Sequence, residues 1–275
     1  MKTLLTAIFL PLICLTVNSC SGQENHKHIG LNVYYTLIDS IENPTAKAYK
    51  ISVEHYNTDS NLIYQEVYAS PAEYPQEKWG LLLSTTQLFY EDKRLVKEET
   101  QDRGAFQQTP TEKSVRTYSY NGERLQETAV NGNPHERYEY NREGRLTVLT
   151  LLYTGRKDFE HYSYTKGGQK DSVRQYLNNQ LIAINTFRYD PSQRLIGRIN
   201  FNQHGDTVFH EVLVRDADGN ITERKWKGQG SRGGTNASNY FWYWEKYFYN
   251  DKGQKIKMEY YDLGRLAGRY EYRWE

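Results

Sequence analysis

The sequence predicts an all-β fold: a repetitive antiparallel β-hairpin meander forming a curled or closed sheet. Three observations predict it. A short phrase recurs along the chain, clearest as Tyr138-Glu139-Tyr140-Asn141-Arg142-Glu143-Gly144-Arg145-Leu146. Short turns separate segments that alternate in polarity, the mark of successive hairpins. No long segment carries an apolar period of 3.6 residues, so helix content should be very low.

Within one copy, Tyr138 and Tyr140 sit at i and i+2 and share a strand face, while Arg137 and Glu139 take the other. Asn141 to Gly144 is a turn, since Asn bonds its own backbone and Gly supplies positive φ. A second strand runs from about Leu146 to Tyr153, and Thr154-Gly155 turns the chain back. Asn131-Gly132, Asn178-Asn179, His204-Gly205 and Leu263-Gly264 are equivalent return turns. Indexed by the second aromatic, the copies fall at Tyr56, Tyr90, Tyr120, Tyr140, Tyr164, Tyr189, Arg215, Tyr249 and Tyr272. With 25 tyrosines in 275 residues, a tyrosine ladder joining neighbouring hairpins is the simplest reading, because Tyr pairs well across strands.

In chain order, residues 1–19 form a secretory signal, with Lys2 as its basic start and Leu4 to Val17 as a short apolar core. Residues 20–30 form a flexible tether, and 31–275 the repeat domain. Leu31 to Ile38 and Ala48 to Tyr56 read as strands. Tyr56 to Leu62 is a degenerate copy of the turn with Ser60 in the Gly position. Tyr68 to Trp79, Gln101 to Ser114 and Gly228 to Gly234 read as irregular insertions. Regular hairpins run from Tyr118 to Asp218, and the chain closes with Leu266 to Trp274 as its last strand. Two cysteines are present, and Cys14 leaves with the signal, so the mature chain can form no internal disulfide. Loss of Lys2 balances the charge at 34 basic and 34 acidic residues, which gives no whole-protein signal for nucleic acid.

Three stretches resemble known families. Val17-Asn18-Ser19-Cys20 resembles the lipobox of bacterial lipoproteins, which implies cleavage before Cys20 and lipidation of that cysteine. The resemblance implies attachment to the membrane through this N-terminal lipid. Ser21, in place of the Asp of an inner-membrane retention signal, implies the outer membrane, on its periplasmic or outer side. Tyr189-Asp190-Pro191-Ser192-Gln193-Arg194-Leu195 and its sister copies resemble the YD repeat of Rhs-type bacterial proteins. Asn121-Gly122-Glu123-Arg124-Leu125 is similar to the shorter MORN-like repeat. The YD resemblance implies consecutive hairpins in a long curling sheet. Rhs proteins build such strands into toxin-enclosing shells, but this chain is too short for a complete shell.

No enzyme constellation emerges: no Gly-x-Ser-x-Gly, His-Glu-x-x-His or phosphate loop is present. His55, His135, His161, His204 and His210 are scattered, and His26 and His28 lie on the tether. No cofactor or metal is expected. The expected function is therefore a non-enzymatic cell-envelope lipoprotein with a binding or scaffolding role, its partner a glycan or an envelope protein. The alternative is a glycan-active hydrolase with a carboxylate pair in a concave face. A membrane-spanning barrel competes for the fold, against charged strand positions such as Arg137, Glu139, Arg198 and Glu259. Asp39-Ser40-Ile41, Asp171-Ser172-Val173 and Asp206-Thr207-Val208 look like O-glycosylation sites of some exported bacterial proteins. Tyr240-Phe241-Trp242-Tyr243-Trp244 puts Tyr240, Trp242 and Trp244 on one strand face. They are either core or an open stacking platform, a candidate binding site.

Overall fold

The computed structural model describes residues 29–37, 48–70, 80–103, 113–153, 155–229, 240–262 and 264–275. Eighteen strands and no helix are found among them. They are β1 (Ile29–Leu37), β2 (Tyr49–Tyr56), β3 (Leu62–Tyr68), β4 (Leu82–Glu91), β5 (Arg94–Asp102) and β6 (Ser114–Asn121). Next come β7 (Arg124–Val130), β8 (Asn133–Tyr140), β9 (Leu146–Leu151), β10 (Asp158–Tyr164), β11 (Lys170–Leu177) and β12 (Gln180–Tyr189). The last six are β13 (Leu195–Asn202), β14 (Thr207–Arg215), β15 (Ile221–Gln229), β16 (Tyr240–Tyr249), β17 (Lys255–Asp262) and β18 (Arg265–Trp274). Several expected boundaries move. Gln101 and Asp102, expected as loop, belong to β5 because they pair with Thr85 and Ser84, and Ser114 begins β6 by pairing with Thr100. β1 begins at Ile29, inside the segment expected to be tether, because Ile29 and Gly30 pair with Tyr56 and His55. β15 takes in Gly228 and Gln229, expected as loop, because they pair with Phe241 and Tyr240.

Each strand pairs antiparallel with the next, and β18 pairs with β1, so the sheet closes into a barrel without an edge. Closure removes the unpaired backbone groups an open sheet would expose. The sequence also supplies the bend. The register slips just before the second aromatic in seven of the nine indexed copies and at Arg215, from His55/Tyr56 to Phe248/Tyr249. Pairings toward the opposite rim slip as well, at Gln175/Tyr176, Asn200/Phe201 and Tyr260/Tyr261 among others; a β-bulge increases local twist, and repeated strand after strand it coils the sheet until its ends meet. The exception is Tyr272, which is the first aromatic of its copy, as the contacts of Trp274 show below.

The turns explain why the repeat needs its Asn or Asp. The side-chain oxygen of Asn141 accepts from the Arg145 amide at 2.9 Å, that of Asp190 from Arg194 at 2.9 Å and that of Asp216 from Asn220 at 2.8 Å. Each reinforces a loop that the backbone also closes, the amides of Asn141, Asp190 and Asp216 donating to the carbonyls of Arg145, Arg194 and Asn220 at 2.9 to 3.0 Å. Gly144 holds φ at +82°, and Ser60 and Gln193, standing where other copies have Gly, hold +60° and +64°. The return turn around His204-Gly205 uses this same geometry, with Asn202 Oδ1 accepting from the Asp206 amide.

The two faces differ sharply. Exposed strand-interior positions such as Thr117, Arg137, Glu139, His161, Arg188 and Val212 share one face. Leu31, Val33, Tyr35, Thr128, Glu211, Leu213 and Met258 are buried on the other. Side chains converge inside a closed sheet and splay outside it, so the second face lines the lumen. The tyrosine pairs of the repeat lie on this inner face. Strand contacts among the described residues run only between sheet neighbours, and eighteen strands enclose a channel rather than a packed core. Charged Lys97, Arg137, Glu139, Arg188 and Lys246 interrupt the outer face, where a membrane-spanning barrel carries an apolar band.

The barrel's two ends are unlike. The turns on 57–61, 141–145, 190–194, 216–220 and 250–254, which begin with Asn or Asp, and the turn on 165–169, which begins with Thr165, lie at one rim, where β1 begins and β18 ends, while the Asn202 turn lies at the other. The longer connections 38–48, 69–81, 103–113 and 230–239 all join strands at the opposite rim.

Candidate functional site

The inner wall is the candidate site, and it is layered from one rim to the other. At the turn rim the second aromatic of each copy reaches back to the preceding copy. The hydroxyls of Tyr90, Tyr120, Tyr140, Tyr164, Tyr189 and Tyr249 donate to the carbonyls of Leu62, Leu95, Leu125, Leu146, Lys170 and Ile221, at 2.8 to 3.0 Å. Arg215 keeps the rung without an aromatic, its Nε donating to Leu195 at 3.2 Å. Trp274 closes the series through Nε1 to Lys255 at 2.8 Å, which makes it, and not Tyr272, the second aromatic of the last copy. The basic residue that ends the turn has a matching role in three copies. The guanidiniums of Arg94, Arg124 and Arg145 lie 5.7 to 5.9 Å from the ring centres of Tyr120, Tyr140 and Tyr164.

Above the rungs lies a carboxylate layer. Tyr138 and Tyr162 donate to Glu136 and Glu160, Tyr118 to Glu98, and Tyr56 and Tyr247 to Glu54 and Glu245. Burial raises the pKa of these five tyrosines, and the neighbouring carboxylates raise it further. Arg198 and Arg224 lie 2.8 and 2.6 Å from the two oxygens of Glu211, which is 5% exposed, and Arg224 reaches on to Glu245 at 3.4 Å. Burial opposes the charge on Arg224, yet Glu245 and Glu211 hold its pKa above the ordinary value. Half-buried Lys255 has its pKa lowered by desolvation, against the pull of Glu245 and Glu54.

Toward the opposite rim, on β15 to β17 and β1, the wall turns aromatic. Trp226 and Tyr243 stack with ring centres 5.5 Å apart, Tyr243 and Tyr260 at 6.1 Å, and Trp226 and Tyr260 at 6.3 Å. Their planes lie within 37° of one another, so the three rings form a shingled patch. Arg224 covers one side of it, 4.7 Å from the Trp226 ring. Tyr35, 2% exposed, extends the belt onto β1. It packs edge-on against Tyr270 at 4.7 Å and fills the space that a Cβ at Gly268 would need.

The sequence-predicted sites fall elsewhere. Cys20 and the 1–28 segment lie outside the described residues, as do the side chains of Tyr240 and Trp242. Trp244 is on the outer face, half-buried. Its ring stacks on Tyr261 at 5.0 Å and carries the ammoniums of Lys225 and Lys246 at 4.7 and 4.2 Å. Its Nε1 is buried and has no hydrogen-bond partner among the described residues. Of the three serine and threonine triplets, Asp39-Ser40-Ile41 lies outside the described residues, and Ser172 is buried, bonded to Ser163 at 2.7 Å. His135 stacks on Tyr153 near the insertion rim, apart from His161 on the outer face. The belt escaped sequence reasoning because Trp226, Tyr243 and Tyr260 come from three strands, β15, β16 and β17, and meet only through register. The available signal was the aromatic at the inner-face position of three successive strands.

No family model matches this chain, and no curated protein does. Solved structures with similar folds include a porin-like protein from Bacteroides uniformis, at 11% identity over 90% of this chain and 97% of that one, with a TM-score of 0.44. Another is a chain of the Tc holotoxin pore of Photorhabdus luminescens, at 15% identity over 86% of this chain, with a TM-score of 0.33. This chain spans 14% of the length of that one.

Proposed function

We propose that the protein is a non-enzymatic cell-envelope lipoprotein whose barrel serves as a binding or scaffolding module, attached to the outer membrane through Cys20. One observation supports this most: a closed barrel with a lumen, built from YD-like hairpins, whose inner Glu and Arg side chains hold the wall together. Glu54, Glu136, Glu160, Glu211 and Glu245 each accept from a Tyr, Arg or Gln of the wall. Carboxylates used this way suit a rigid frame better than acid–base chemistry, which needs a group free to exchange its proton with substrate. β1 begins at the turn rim, so a lipid on Cys20 would tether the barrel through that side of the chain.

The test has two arms in the native cell. Metabolic lipid labelling should mark the wild type and not Cys20→Ala; equal labelling contradicts the anchor. Cross-linking of the anchored barrel in intact envelopes should trap a defined partner, glycan or protein. A barrel that is labelled but cross-links to nothing contradicts the binding role.

A further inference from the structure

Almost every inner-wall tyrosine at the turn rim has its hydroxyl committed, to a carbonyl in the rung layer or to a carboxylate in the layer above. The aromatic belt does not follow this pattern. Trp226, Tyr243 and Tyr260 make no hydrogen bond among the described residues, and no interaction of theirs beyond their ring, cation and charge contacts exists there. A wall that commits most of its tyrosine hydroxyls leaves these three tips spare, side by side and facing the lumen, in the same sector as Tyr35 and Tyr272, which also make no hydrogen bond among the described residues.

We propose that this belt binds a neutral oligosaccharide, stacked on the shingled rings of Trp226, Tyr243 and Tyr260. The assignment rests on the binding role inferred above and narrows it to a site and a ligand class. Three features select that class. A sugar ring has an apolar C–H face and a rim of hydroxyls, which matches flat rings with free N–H and O–H tips. A purely apolar ligand would strip water from Arg224 and Glu245 at the foot of the belt, at a cost in desolvation. A folded domain is excluded by size. Eighteen strands spaced about 4.8 Å and tilted about 40° give about 35 Å between opposite backbones of a round barrel, and side chains narrow that further. A slender chain enters such a lumen and a globule does not.

The experiment uses the full-length chain purified in detergent, with cellohexaose, maltohexaose and chitohexaose as probes, followed by calorimetry and tryptophan fluorescence. At least one should bind and shift the emission. Tyr243→Ala should weaken it by about tenfold. Trp226→Phe and Tyr260→Phe keep a ring but remove the polar tip, and each should weaken binding by about threefold with an unchanged melting midpoint. If Tyr243→Ala fails to fold, these two variants decide. No binding of any probe at millimolar concentration overturns the proposal, as does binding that persists in both Phe variants. Preferential binding of an aromatic-rich peptide in place of sugars also overturns it. Binding untouched by belt variants would locate a glycan site elsewhere and leave the broader role standing. Failure of envelope cross-linking with intact belt binding would do the reverse.

Discussion

Tyr140 and Tyr243 are both inner-face tyrosines, on β8 and β16 of one barrel, yet they do opposite things with the same hydroxyl. Tyr140 donates to Leu125 at 2.8 Å and has Arg124 over its ring. Tyr243 spends its ring on Trp226 and Tyr260 and its hydroxyl on nothing among the described residues. The first arrangement recurs in copy after copy; the second gathers in one sector, from β16 to β1, at Tyr243, Tyr260, Tyr272 and Tyr35. A repeat that spends its polar groups on its own wall is a frame, and the departure from that rule marks where the frame has capacity left for a ligand.

The largest effect that separates frame from belt should come from alkali. The Glu-paired tyrosines Tyr56, Tyr118, Tyr138, Tyr162 and Tyr247 have their pKa raised in the fold by burial and by carboxylates. A group held protonated this way contributes stability that is present below its unfolded pKa, about 10, and is lost as pH rises beyond it. Absorbance at 295 nm should show these tyrosines ionising late and together with loss of the β-sheet signal. Independent ionisation near pH 10 in a barrel that stays folded would break the account of the carboxylate layer.

Next in size is Glu211→Ala. It strands Arg198 and Arg224 in a partly buried wall, and removing one partner of such a network should cost about 3 kcal/mol, read from urea denaturation. A cost under about 1 kcal/mol would class the network with ordinary surface pairs. Gly144→Ala should cost about 1 to 2 kcal/mol, because φ is +82° and the added Cβ would lie 2.7 Å from the Arg124 guanidinium. At Gly205, with φ of +86° and open space around it, the same change should cost less, the φ penalty alone. The pair thus separates backbone strain from the arginine-on-tyrosine packing.

Much of the frame was legible in the sequence. The turn residues were, since Asn141, Asp190 and Asp216 act through bonds spanning four positions. The rung register was too, down to Arg215 standing in for an aromatic and Ser60 and Gln193 standing in for Gly. At Trp274 that legibility failed: the last copy has three alternating aromatics, Tyr270, Tyr272 and Trp274, and only the reach of the indole to Lys255 selects among them. Closure was open to sequence reading only as a tendency, because it depends on twist summed over eighteen strands and on β1, which carries no copy of the repeat, pairing with β18. The belt was illegible for a related reason. Its rings lie far apart along the chain, while the conspicuous run from Tyr240 to Trp244 drew attention to Trp244, which points outward under Lys225, Lys246 and Tyr261.

The division of labour within the inner wall is tested most directly by one series of Tyr→Phe variants measured in urea. At Tyr90, Tyr120, Tyr140, Tyr164, Tyr189 and Tyr249, each lost hydroxyl leaves a carbonyl rung unmade, and stability should fall by about 1 kcal/mol apiece. At Tyr243 and Tyr260 the same change removes a hydroxyl that bonds nothing in the wall, and stability should stay within about 0.5 kcal/mol of the wild type. Equal losses at the two levels, or larger ones in the belt, would contradict the claim that the rungs hold the barrel and the belt is held in reserve.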